Sequence, residues 1–125
     1  MIGWWIVIST QTPEERSRHA DSERRDHILA TWEVGLGGLD WVERLVAKSA
    51  AQKVRSDGYP NVYVASAETV IPLLVDGPPA HDGAMVIGDD YVMPPKWIGK
   101  VEMHRDRIEA CPTSQALTIE AWDLS

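Results

Sequence analysis

Apolar positions in this chain come in blocks of different period, and the changes of period separate strands from helices. Residues 4–10 run Trp-Trp-Ile-Val-Ile-Ser-Thr, apolar without alternation through Ile8. That pattern predicts a strand covered on both faces, hence central in a sheet. Thr12-Pro13-Glu14-Glu15 follows, supplying an N-cap, a proline at the first helical position and a glutamate three residues after the cap. Such a capping box starts a helix. The pattern carries this charged helix over 13–34, where Gly35-Leu36-Gly37-Gly38 stops it. Between residues 13 and 27 only Ala20 is apolar, and Glu14–Arg18 and Asp21–Arg25 are spaced for salt bridges; Ile28, Leu29 and Trp32 then form an apolar face. The expected arrangement is a docked C-terminal half and an N-terminal half that projects into solvent.

Asp40 and Glu43 make a second cap-like start. Trp41, Val42, Leu45, Val46 and Ala50 continue from it as an apolar stripe, predicting a helix to about residue 55. Residues 61–65 read as a short strand, and 66–75 as a short helix interrupted at Pro72, which removes a backbone donor. Residues 76–96 form an acidic Gly/Pro-rich loop with a brief strand at 84–87. From Trp97 the chain alternates, Val101 and Met103 against Lys100, Glu102 and His104, with a turn expected at His104-Arg105-Asp106-Arg107. Leu117, Ile119 and Ala121 alternate with Thr118, Glu120 and Trp122 as a final strand. This order predicts a single α+β domain over 1–125, a mainly antiparallel sheet with helices packed on one face.

Composition agrees with one globular unit: 125 residues, 44 % hydrophobic and 25 % charged, with six Trp and no Phe. With Phe absent, some tryptophans must fill core space. The single cysteine, Cys111, excludes an intrachain disulfide and fits a reducing compartment. The apolar N-terminal run lacks a basic flank and is far short of the roughly 20 residues of a membrane span, so a cytoplasmic protein without signal peptide is expected.

Charge changes the picture most. The net charge is -7, and residues 57–95 hold six acids (Asp57, Glu68, Asp76, Asp82, Asp89, Asp90) with no Lys or Arg. A face of that sign steers cationic partners and repels nucleic acid and anionic membranes. Twelve basic residues interleaved with acids cannot form a phosphate-neutralising stripe, so nucleic-acid binding is rejected.

Candidate chemistry adds little. The 35–38 glycines follow a predicted helix and lack the Lys-Ser/Thr of a phosphate loop. His19, Glu23 and His27 lie on one helical stripe, but ligands eight residues apart stand about 12 Å apart along the axis, too far to share an ion. Asp76, His81, Asp82, Asp89 and Asp90 do not match a calcium loop. Cys111 with His104 lacks the orienting third group that a cysteine nucleophile needs. No catalytic residue, metal or cofactor is therefore expected, and the protein is expected not to be an enzyme. Aromatic residues beside acids, as at Asp89-Asp90-Tyr91, near Trp97 and at Trp122-Asp123, have the character of anchors for a basic surface. The expected partner surface is Asp76, Asp82, Asp89, Asp90, Tyr91 and Trp97, and the expected function is an inhibitor or immunity-type module masking a basic protein such as a nuclease or toxin. Two alternatives remain at this point: a small-ligand pocket under the 76–95 loop, and an assembly protein docking through the 13–27 helix.

Overall fold

The structure, a computed structural model, describes residues 3–18, 27–56, 60–74, 77, 85–87, 91–93 and 98–123. Strand β1 (Trp4–Ser9) lies inside a six-stranded sheet, antiparallel to β2 (Ile28–Val34) on one side and to β8 (Ala116–Asp123) on the other. Beyond β8 come β4 (Asn61–Ser66) and the edge strand β3 (Ala51–Ser56); beyond β2 lies the other edge, β7 (Ile98–Met103). Every pairing is antiparallel. A separate two-stranded ribbon joins β5 (Met85–Ile87) to β6 (Tyr91–Met93). The α+β class, the central place of β1 and the antiparallel sheet are as the sequence pattern predicts.

Alternation within the strands sorts the sheet into two faces. Ile6, Ile8, Ala30, Trp32, Tyr63, Ala65, Leu117, Ile119 and Ala121 point to one face and form the core. Helix α2 (Asp40–Ala47) adds Trp41 and Val42, α3 (Ala67–Val70) adds Ala67 and Val70, and α4 (Arg105–Ala110) adds Ile108. Trp32 and Trp41 meet with centroids 6.2 Å apart and planes tilted 39°, so two of the six tryptophans take the core positions that phenylalanine would fill elsewhere.

The opposite face is buried too, but its chemistry is mixed: Val7, Val62, Thr31, Glu33, Thr118 and Glu120. Against it lies α1 (Pro13–Arg18), whose Arg16 Nη2 stands 2.8 Å from Glu120 Oε1. Three helices thus share the core face, and the first packs on the other. The Thr12–Glu15 capping box forms as predicted: Glu15 N–H donates to Thr12 Oγ1 at 3.2 Å, and Thr12 N–H to Glu15 Oε1 at 3.0 Å. Thr118 Oγ1 donates to the Gln11 carbonyl at 2.6 Å and pins the preceding link to β8.

Several expected boundaries are overturned. The predicted 13–34 helix gives a helix only at its start, and residues 28–34 are β2. The period explains this: Ile28, Ala30, Trp32 and Val34 alternate with Leu29, Thr31 and Glu33, and the register with β1 sends Thr31 and Glu33 to the mixed face. Leu29 is the extra residue of a bulge between the Ile8–Ala30 and Ser9–Ile28 pairs, which lets it be buried as well. The expectation of a projecting N-terminal half fails for residues 13–18, because Arg16 is buried; residues 19–26 lie outside the described residues.

Helix α2 also stops early. Ser49, at φ 61, and Ala50 donate back to the carbonyls of Val46 (3.0 Å) and Leu45 (2.8 Å), a Schellman closure that turns the chain into β3. Asp40 is the first helical residue and Leu39 the cap, with no side-chain cap bond, so the cap-like reading of Asp40 and Glu43 does not hold. The 35–38 connector is a 3-10 turn, Leu36–Leu39. Gly38 is required there: a Cβ would lie 2.2 Å from Val34 Cγ2.

Candidate functional site

The structure reaches the expected partner surface at one point only. Asp76, Asp82, Asp89, Asp90 and Trp97 lie outside the described residues. Tyr91 opens β6 and pairs with Ile87, so Gly88, Asp89 and Asp90 are the three residues linking the ribbon's two strands. The wide loop expected over 76–96 therefore contains a hairpin pairing, of which only the 85–87 half was expected as a strand.

A cavity lies beside this segment in sequence. It has a volume of about 510 Å³ and runs between α3 with its continuation, a 3-10 turn at Ile71–Leu74, and α4. The expected break at Pro72 is this change from α to 3-10 geometry. Ala67, Ile71, Pro72, Ile108 and Cys111 supply apolar walls; Glu68, Arg105, Glu109 and Thr113 supply polar ones.

Backbone ties hold both ends of the cavity. At one end Ala67 N–H donates to Gln115 O (2.8 Å) and Glu68 N–H to Thr113 O (3.1 Å), fastening the start of α3 to the chain after α4. At the other, Arg105 Nη1 donates to Leu74 O at 2.9 Å, fastening the start of α4 to the end of the 3-10 turn. Helix α4 is itself anchored to β2, through His104 N–H to Leu29 O (2.9 Å) and Arg107 Nη1 to Ile28 O (2.8 Å). These bonds leave Glu68 and Glu109 exposed on the lining, and neither carboxylate has an ion-pair or hydrogen-bond partner among the described residues. Four other acids are paired: Glu33 with Lys100, Glu43 with Lys53, Glu102 with His104 and Glu120 with Arg16.

Glu68 belongs to the basic-free window of residues 57–95 but is not one of the expected partner residues. Glu109 and Ile108 were missed. Residues 104–107 read as a turn because α4 is only six residues long and buries one side chain, Ile108, too little to display a helical period.

Cys111 lines the cavity and also a smaller hollow of about 220 Å³ with His27, Thr10 and Arg107. Burial pushes its thiol pKa up, away from the thiolate a nucleophile needs. His104 Nε2 faces Glu102 at 3.4 Å instead. His27 Nδ1 is 3.2 Å from Thr10 Oγ1. Among the described residues no group of three or more His, Cys, Asp and Glu is placed to hold a metal ion.

A second hollow, about 380 Å³, opens on the mixed face of the sheet, where α1 meets β3, β4 and β8. Trp122 (39 % exposed) and Val54 (53 % exposed) lie at it with Pro13, Pro60, Glu14 and Arg55. The exposed Trp122 next to Asp123 was anticipated as an anchor-like pair. Its neighbour Val54 was not: it is the extra residue of a bulge in β3, between the Lys53–Tyr63 and Arg55–Val62 pairs, which alternation alone does not reveal.

No protein-family model, no curated protein and no solved structure matches this chain. No helix among the described residues is long and apolar enough to cross a membrane.

Proposed function

We propose that this protein is a small acidic binding module that engages a basic protein, in the manner of an inhibitor or immunity-type protein masking a nuclease or toxin. The observation that carries the reading is the segregation of charge: a chain of net charge -7 concentrates six acids in residues 57–95 without one Lys or Arg. Glu68, the acid of that window whose side chain is described, stands on the cavity between α3 and α4 with no partner among the described residues. A negative surface of this kind accelerates encounter with a cationic partner and suppresses the wrong ones. The working surface is the cavity rim together with Asp76, Asp82, Asp89, Asp90, Tyr91 and Trp97.

The test is association kinetics against the bound protein. Reversing charge at Asp89→Lys/Asp90→Lys is expected to slow association by about tenfold or more at low salt and to flatten its dependence on ionic strength. An unchanged rate would remove the hairpin link from the working surface. A second reading, a small-ligand binder, draws on the volume and apolar walls of the same cavity.

A further inference from the structure

We infer that the cavity between α3 and α4 is the subsite that receives an arginine or lysine side chain of the basic partner. The inference rests on the proposed function and adds to it the place and the chemistry of one contact. An arginine or lysine side chain is apolar along its stem and cationic at its tip, and it settles where apolar surface ends at negative charge. The cavity has that profile. Ala67, Ile71, Pro72, Ile108 and Cys111 offer apolar wall, and Glu68 and Glu109 offer two exposed carboxylates with no partner among the described residues.

Arg105, also on the lining, does not fill this role from within, since its Nη1 is given to the Leu74 carbonyl. Among the described residues of the lining, one cation stands against two anions, a net negative charge. Cys111 adds none, because burial keeps its thiol protonated. An anionic occupant would meet Glu68 and Glu109, and an uncharged one would leave both carboxylates unused. The backbone ties at each end keep the cavity open before binding, which lowers the ordering cost of docking.

The experiment is an amide-shift NMR titration of the whole chain with hexylguanidinium chloride, run against sodium hexanoate and 1-hexanol, which share the alkyl length. Hexylguanidinium is expected to shift the amides of residues 67–71, 108–111 and 113 saturably. Glu68→Gln/Glu109→Gln, changed only at exposed positions, is expected to weaken that binding by about three- to tenfold. Ile71→Trp, which fills the cavity, is expected to abolish it. Equal or stronger shifts from hexanoate or hexanol would overturn the inference, as would hexylguanidinium shifts elsewhere or undiminished affinity in the double variant. If hexylguanidinium leaves these amides unmoved while the protein still holds a basic partner, the subsite assignment falls and the proposed function stands. If the amides respond but no basic partner is ever bound, the proposed function falls by itself.

Discussion

Tyr63 sits at 0 % exposure in the core, and its hydroxyl donates to Glu43 Oε1 at 2.9 Å; Lys53 Nζ reaches the same oxygen at 2.8 Å and lies 5.6 Å from the tyrosine ring centroid. The three side chains come from β4, α2 and β3, so one oxygen joins the helix to the sheet's edge. Burial, then the hydrogen bond to Glu43 and its charge, push the Tyr63 pKa well above the ordinary tyrosine value near 10. For Glu43 burial acts upward, but the hydrogen bonds from Lys53 and Tyr63 and the lysine charge together outweigh it and hold the pKa below the ordinary value. The signs follow from linkage. A raised tyrosine pKa contributes stability that is complete below about pH 10 and is lost as pH rises through the folded value. A lowered glutamate pKa contributes stability present above about pH 4.3 and lost as pH falls through the folded value. Tyr63→Phe is therefore expected to cost about 1 kcal/mol at neutral pH and to flatten the alkaline limb of stability measured by urea unfolding. Glu43→Gln is expected to flatten the acid limb below about pH 5. None of this trio was legible in the sequence, because β3 is exposed from Gln52 to Ser56 and offers no alternation to place Lys53 beside Tyr63.

At the scale of elements, β1, β4 and β8 were legible because each buries a strongly patterned stretch, and the α1 capping box because its chemistry is local. Strand β2 was mistaken for helix because its seven residues satisfy both periods, and only pairing with β1 and β7 decides between them. Helix α1 shows how an element polar all round can still dock. Its Arg16 and the facing Glu120 are each about 10 % exposed, yet Arg16 Nε and Nη1 have no hydrogen-bond partner among the described residues. An incompletely satisfied buried pair orients a helix more than it stabilises a fold. Glu120→Leu alone is expected to cost about 3–5 kcal/mol by leaving Arg16 buried and uncompensated, whereas Arg16→Leu/Glu120→Leu is expected to be at least as stable as the native chain. Chemical unfolding of the two single variants and the double variant measures this directly; single losses that add in the double variant would contradict it. Both sheet edges are also blunted: Val54 bulges out of β3 between Lys53 and Arg55, and β7 is irregular at Lys100, whose φ is 48. Bulges and edge charge oppose strand-to-strand addition at both edges of this sheet.

Over the whole molecule, the sheet separates two surfaces with different contents. One side carries the helices α2, α3 and α4 and the cavity, whose Glu68 and Glu109 have no partner among the described residues; the other carries α1 and the Trp122 hollow, where Arg16 and Glu120 are paired. The sequence revealed the sign of the charge and the window that holds it. It did not reveal that Glu68 lines the same cavity as Glu109 from a distant segment, because that placement depends on backbone ties between α3 and the chain after α4. On the proposed function, this charge serves a basic protein partner. Its most direct test is capture from the lysate of the organism that makes the protein, on the immobilised native chain and in parallel on Asp89→Lys/Asp90→Lys, with elution by a salt gradient and identification by mass spectrometry. The expected result is one stoichiometric protein of high isoelectric point that leaves the native chain at moderate salt and is depleted on the variant. An empty native column, or a partner that is acidic and elutes without regard to salt, would contradict it.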